Sequence, residues 1–584
     1  VLGGIFRTKD LSAILAAADR PGTSLRRSLG PLNVTLLGIG AVIGAGIFAT
    51  VGTAAAGDAM RLGAGPSLML SFVITATVCA FTALCYAEFA SMVPISGSAY
   101  TYSYATLGEL IAWIIGWDLI IEYAIGNVAV AISWANYFRT FLESIGFNFP
   151  QWLAVDYRTA AKIPGLLESA PHIFGIPIVC NLLAFGIVMI ITTILVWGIR
   201  ESAAFNAGMV LVKILVLAFF VAVAVHFVSP DKMVENWQPF QPNGWTGTLA
   251  GAAVVFFAYI GFDAVSTVAE ETRNPSRDLP IGIIASLIIC TIIYAVVAAV
   301  FTGILPYGEL KHRLATEQAE PLTMALQHVA PQATWATGIV AFGSVVAHTA
   351  VLLVFQMGQP RIFFAMARDG LLPASLAKVH PRFRTPYVTT IITGLCVGTL
   401  ASFASIDEMV DLTNIGTLFA FMLVCIGIPI LRFRDPTRRR PFRVPFGPLL
   451  LPILGAASCL GLMYYLPPAS WWRFIGWLVL GLSVYAAFGY SRSAIGRAMG
   501  RPLRTPWALK IAAVALLVIA LGMFIVPHDL GPKALVSAAF ADAAGRNERA
   551  TAGVLMIAVG LVISIVFAAI GLSTGDESNI GPAR

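Results

Sequence analysis

Four ionisable side chains in this 584-residue chain lie in stretches that are otherwise mostly apolar: Asp118, Glu122, Lys213 and Asp263. Lys213 sits about ten residues into the apolar run that begins near residue 203, roughly 15 Å deep if the run is helical. That is farther than a lysine stem comfortably snorkels toward a headgroup layer, and an ammonium at such depth more often faces a cavity and finds partners there. Asp118 and Glu122 are spaced i, i+4, so a helix places them on one face. Two readings fit them: a structural pair of polar packing groups, or a carboxylate that binds a proton or faces a substrate. His348, in another apolar run, reads as a satisfied core histidine ahead of a proton relay.

Two glycine-bearing segments could supply backbone chemistry. The first is Gly38-Ile39-Gly40-Ala41-Val42-Ile43-Gly44-Ala45-Gly46-Ile47-Phe48, in the middle of the first apolar run. Its flanks lack the strand–turn–helix context of a dinucleotide fingerprint. Gly40 and Gly44 suit close helix packing of the Gly-x-x-x-Gly kind. Alternatively, Gly44-Ala45-Gly46 breaks the helix, since each glycine costs about 1 kcal/mol in a helix interior. The second segment, Phe256-Phe257-Ala258-Tyr259-Ile260-Gly261-Phe262-Asp263, interrupts the sixth apolar run and favours the broken-helix reading. Interruptions at corresponding places in two halves of a chain point to a binding site, and unwound backbone is tolerated in a membrane only where it is buried or lines a cavity. Freed amides at a half-helix N-terminus can hold a carboxylate, and freed carbonyls can accept from an ammonium. Such a site suits a zwitterion, and the zwitterion implied is an amino acid.

The elements that would position these groups follow from composition. The chain is 58% hydrophobic and 11% charged, whereas a soluble domain carries about 25% charged residues. It cannot cover a water-facing surface of its size, so lipid must be its solvent. That excludes a disordered chain, a secreted disulfide scaffold and a nucleic-acid binder. Apolar windows of spanning length recur at 28–57, 62–87, 108–137, 169–199, 203–228, 236–262, 279–308, 321–360, 385–406, 412–431, 444–472, 474–491, 508–527 and 550–575, which predicts fourteen helices in an all-α integral membrane protein. With the N-terminus inside, alternate connecting segments hold 24 of the 37 Lys and Arg against 11 on the other side, so both termini are expected in the cytoplasm of a cell-membrane protein. The run Arg438-Arg439-Arg440 is then a topology anchor. The connecting loops at 138–175, 306–333 and 361–386 are short. All seven cysteines fall in apolar stretches without metal-ligand spacing, so neither disulfides nor zinc is expected. Residues 1–33 do not resemble a signal peptide.

No Gly-x-x-x-x-Gly-Lys-Ser/Thr, His-Glu-x-x-His or Gly-x-Ser-x-Gly motif occurs. No cofactor is expected, and the energy must come from a gradient, protons foremost, or from exchange. A channel would want a ring of like charges or carbonyls, and an intramembrane enzyme would want a nucleophile–base or metal constellation; neither is found.

These residues resemble the amino acid–polyamine–organocation superfamily, and within it the cationic amino acid transporter family and its bacterial relatives. The resemblance is carried by Gly38 to Phe48, by Tyr86-Ala87-Glu88-Phe89-Ala90-Ser91-Met92-Val93-Pro94-Ile95-Ser96-Gly97-Ser98-Ala99-Tyr100, and by the sixth run with its exit Glu270-Glu271-Thr272-Arg273-Asn274-Pro275. Arg361 to Leu372 and Arg440-Pro441-Phe442-Arg443-Val444-Pro445 extend it over about residues 28–490. It implies a five-plus-five inverted repeat of the leucine-transporter type, with discontinuous helices 1 and 6. The repeats would occupy 34–228 and 247–433, with a cytoplasmic segment at 1–33, four additional helices at 434–573 and a cytoplasmic tail at 574–584. It further implies that a substrate carboxylate meets the amides of Ala45 and Gly46, beside Gly44, and that the ammonium meets carbonyls of Ile43, Phe257, Ala258 and Ile260. Lys213 would occupy the place of a sodium ion. The eighth run offers no extra acid for a cationic side chain, and Phe355 adds apolar bulk if it faces the pocket. A polyamine or organic-amine permease of the same fold is the alternative.

Overall fold

The computed structural model describes residue 8 and residues 29–58, 60–92, 98–198, 203–316, 320–498, 505–528, 530–539 and 547–577. The expectations for most of segment 1–33, for residues 93–97 of the second motif, for the Glu270 side chain and for the end of the tail lie outside these residues. Ten helices among those described are long and apolar enough to cross a membrane, and four shorter apolar helices accompany them. Each of the fourteen windows coincides with one of the fourteen. This is how apolar runs must fold in lipid, because only a helix satisfies its own backbone polar groups there.

The first window is not one helix. Helix α1 (Pro31–Val42) opens on a proline, which is favoured at the first helical position, and ends at Ile43, where ψ is 104°. The chain resumes as α2 (Ala45–Phe48) and α3 (Thr50–Ala56). It continues through α4 (Leu68–Met92) and the short α5 (Ser98–Thr106). The third window holds α6 (Glu109–Ile120) and α7 (Gly126–Ser144), joined through a π-helical stretch at Ile121–Ile125. Next come α8 (Leu182–Trp197) and α9 (Ala203–Phe227). In the sixth window α10 (Gly244–Val255) gives way to two 3-10 stretches, Phe256–Tyr259 and Asp263–Glu271. Helices α11 (Pro275–Ile304), α12 (Tyr307–Thr316), α13 (Pro321–Val329) and α14 (Thr334–Arg368) follow. The chain then forms α15 (Tyr387–Phe403), α16 (Ile406–Arg434), α17 (Leu450–Tyr464) and α18 (Pro468–Val484). It ends in α19 (Trp507–Ile525) and α20 (Glu548–Glu577).

Two windows start later than their composition predicts. In 169–199 the helix begins only at Leu182, capped by the Asn181 side chain, because Pro171, Gly175 and Pro177 break the preceding run into a hairpin of β1 (His172–Ile173) and β2 (Ile176–Pro177). In 321–360 the spanning helix starts at Thr334, and 306–333 is not a bare loop but carries α12 and α13.

Packing separates a protein-lined interior from a lipid-facing rim. In the window around α10 94% of residues are buried, against 17% for α20, so the interrupted sixth segment has the protein surroundings that broken backbone needs. α11 packs against α1 and α4, α14 against α7 and α9, and α16 against α4 and α7, while α19 and α20 pack on each other beside α18. On the arginine-rich side Glu88, fully buried, takes hydrogen bonds from Arg432 Nε at 2.9 Å and the Val444 amide at 2.7 Å. Arg440 donates to the carbonyls of Asp435 and Arg438 at 2.7 and 3.0 Å. Two of the sequence motifs therefore fasten the ends of α4 and α16 to the following loop.

Candidate functional site

The two interruptions meet. A Cβ built on Gly46 would lie 2.1 Å from Cα of Ala258, and one on Gly261 would lie 2.8 Å from the carbonyl oxygen of Ala41. Each broken segment thus presents a glycine to the backbone of the other. Gly261 also holds φ at +122°, a region where side chains are rarely tolerated. Gly44 is crowded from a third direction, its virtual Cβ falling 2.7 Å from Val351 of α14.

Unwinding leaves polar backbone groups that must be satisfied. Lys213 of α9, fully buried, donates from Nζ to the carbonyls of Gly40 at 2.5 Å and Ile43 at 2.9 Å. The Tyr294 hydroxyl donates to Val42 O at 2.9 Å. Asn414 of α16 donates to Ala253 O and Val254 O at 2.9 and 3.1 Å, where α10 runs out. The amides before Ile47 stand at the N-terminus of α2, and the first to reach an acceptor is that of Ile47, on Gly44 O. At the second break the Phe257 carbonyl accepts from the Ile260 amide at 3.4 Å, and the backbone groups expected to meet a ligand, at 43–46 and 257–260, all lie at the two breaks. Ile43, Ala45, Gly46, Phe257, Ala258, Ile260 and Phe355 are all at most 5% exposed. Phe355 makes an edge contact with Tyr123, centroids 5.7 Å apart, so it stands beside the π-helical stretch.

The charged candidates form two groups. Lys213 keeps company with carbonyls and Cys290 and makes no ion pair among the described residues. Neither Glu122 nor Asp263 is among the groups that Lys213 contacts. Glu122 and Asp263 instead lie beside each other, and Tyr123 donates to Asp263 Oδ2 at 3.3 Å. The π-helical turn carries Glu122, a placement common at functional sites. Asp118, one turn earlier, faces Gly416 of α16, and neither of its oxygens has a partner. His348 is satisfied on both nitrogens, by Ser133 Oγ at 2.8 Å and Ser344 O at 2.6 Å. Sequence reasoning missed Tyr294, Asn414 and Tyr123. A lone asparagine in the tenth apolar window was a usable signal for the second; the two tyrosines gave none.

Above the crossing, on the side away from the Glu88–Arg432 pair, lies a cavity of about 580 Å³ whose lining includes Ala49, Thr50, Asn136, Arg139, Glu320 and Asp407.

A bundle of apolar helices around two crossed, interrupted segments defines a multi-pass membrane permease, not an enzyme. The chain belongs to the amino acid permease family, whose model matches residues 29–484. It is 46% identical over 490 residues to the branched-chain amino acid permease BcaP of Bacillus subtilis, covering 84% of this chain and 98% of that one. It is 43% identical over 491 residues to the methylthioribose transporter of the same organism, again covering 84% and 98%. It is 36% identical over 437 residues to a vacuolar cationic amino acid transporter of Arabidopsis thaliana, covering 74% of this chain and 68% of the relative.

Proposed function

We propose that the chain is a secondary carrier that moves an amino acid with an apolar side chain across the cell membrane, driven by proton symport or by exchange. The observation that carries this reading is the meeting of the two broken segments, which brings the Gly44–Gly46 break against the backbone of Ala258 and the Gly261 break against that of Ala41. A carboxylate and an ammonium need such a pair of backbone surfaces. Phe257, Phe355 and Tyr123 supply apolar and aromatic walls, and the high identity to a branched-chain amino acid permease supports the same substrate class. Lys213 on the α1 carbonyls takes the role of a fixed cation, so sodium is not required. The Glu122–Asp263 pair, with Asp118 beside it, is the proton-binding group. Fourteen spanning helices, the first ten forming an inverted repeat, and two cytoplasmic termini complete the reading, supported by the arginine-rich loops.

Uptake of labelled L-leucine, L-lysine, putrescine and methylthioribose into proteoliposomes tests it. Saturable leucine uptake that excess unlabelled lysine and putrescine leave in place is the expected result. Preferential uptake of putrescine would shift the assignment to an organic-amine permease, and uptake of methylthioribose alone would remove the zwitterion argument.

A further inference from the structure

The cavity above the crossing contains a buried acid that the carrier reading does not use. Glu320 immediately precedes α13, where an acid commonly caps the helix. It does not do so here: its side chain accepts no hydrogen bond from the α13 amides. Instead it lines the cavity, is 6% exposed, and its Oε2 has no hydrogen-bond partner. A buried carboxyl oxygen left open toward a water-sized space is costly unless something occupies that space. Ala49 and Thr50, one turn from Gly46, line the same cavity as Glu320.

We propose that this vestibule carries a second amino acid subsite, in which Glu320 receives the substrate ammonium before it reaches the crossing of the broken segments. The proposal rests on the amino acid carrier reading. Its walls offer both signs of charge, as a zwitterion requires. Lys162 and Lys311 are the cations facing a carboxylate, with Arg139 paired to Glu143 at 3.5 Å beside them, and Asp58, Asp156 and Asp407 are the remaining acids. The groups that act on Glu320 come from three directions: Asn136, Tyr137 and Arg139 on α7, Asp407 on α16, and Lys311 on α12. Burial pushes the Glu320 carboxyl up to about 8, against the lowering effect of the Asn136 hydrogen bond and the Arg139 charge and with a further rise from Asp407. At neutral pH the group therefore holds a proton that an arriving ammonium must displace. Occupancy of this subsite rises with pH through that range.

The experiment is equilibrium binding of tritiated L-leucine to the full chain in nanodiscs from pH 6 to 8.5, with uptake measured in proteoliposomes. Wild type is expected to bind about two leucines per chain at the alkaline end, the weaker one lost toward pH 6. Glu320→Gln should bind about one, with the central affinity kept, a flat pH profile and a KM for uptake raised about tenfold, the loss expected for one charge-assisted hydrogen bond. Glu320→Asp should restore the pH dependence. A measurement on wild type alone gives a second check: 4-methylpentanoate, which is leucine without its ammonium, should leave the weaker site unaffected. One-to-one binding with active uptake, unchanged stoichiometry and pH profile in Glu320→Gln, or competition by 4-methylpentanoate at the weaker site would each overturn the subsite while leaving the carrier reading intact. Failure of wild type to bind or transport leucine would overturn both.

Discussion

Gly46 shows how a residue can be marked by its sequence for one reason and fixed by the fold for another. The sequence singles it out because its amide is a candidate carboxylate ligand. The structure adds that the position facing its missing side chain is filled by the Ala258 backbone. Even Gly46→Ala is therefore expected to force the two broken segments apart, with an overpacking cost of about 1–3 kcal/mol and a loss of leucine uptake of about tenfold or more. Wild-type affinity in purified, folded Gly46→Ala protein would refute both roles. Lys213→Ala removes the donors to the Gly40 and Ile43 carbonyls, so uptake should fall far below that of Lys510→Ala, whose side chain is exposed at the start of α19. Equal uptake by the two variants would remove the fixed-cation role. Glu122→Gln should flatten the pH dependence of uptake while the protein still binds leucine; an unchanged profile would return the pair with Asp263 to packing. The depth of Lys213 was legible because length times rise gives it directly. Its partners were not, since carbonyls on another helix leave no trace in side-chain identity.

At the scale of elements, periodicity and charge-free length located the helices, and prolines and glycines located what those measures could not, as at 169–181. The π-helical stretch in the third window was illegible: an inserted residue changes no composition, yet it sets where Glu122 points. The end of α10 is likewise defined by a partner far away in sequence. Asn414 donates to the Ala253 and Val254 carbonyls where the helix stops, and the Val254 carbonyl also accepts from the Phe256 amide, so Asn414→Leu should leave the buried Ala253 acceptor unpaired. That costs about 1–3 kcal/mol, visible as a lower unfolding temperature of the purified protein together with reduced uptake. If Asn414→Leu unfolds at the wild-type temperature, the 3-10 segment that follows α10 is held by other means.

For the molecule as a whole, composition alone pointed to the solvent and the family signature to the architecture to be expected, but neither disclosed the vestibule, which is assembled from α3 and its flanking residues, α7, α12, α13, α16 and the loop between α7 and α8. The coupling prediction belongs at this scale because it concerns the entire transport cycle. Uptake into proteoliposomes should rise with an inward proton gradient or with preloaded amino acid, and replacing sodium by choline should leave it unchanged. Strict sodium dependence would remove Lys213 from the cation's place. The last helix pair lies beyond the family match at 29–484 and touches the remainder largely through α18 and its continuation. A chain ending near residue 498 is therefore expected to keep leucine uptake within a few-fold of the full chain, and complete loss would show that the pair is part of the carrier.

The reciprocal glycines have a mechanical consequence. A side chain between two moving parts is a spring, with rotamers that can absorb part of a displacement. Where Gly46 meets Ala258 and Gly261 meets Ala41, the glycine faces backbone and at most a methyl group, and neither has a rotamer to turn. Movement of one broken segment is therefore expected to carry the other with it. On the carrier reading proposed above, the two would shift as one body, since a joint with play would let each half of the central site move without the other. Glycine at these two contacts removes the play.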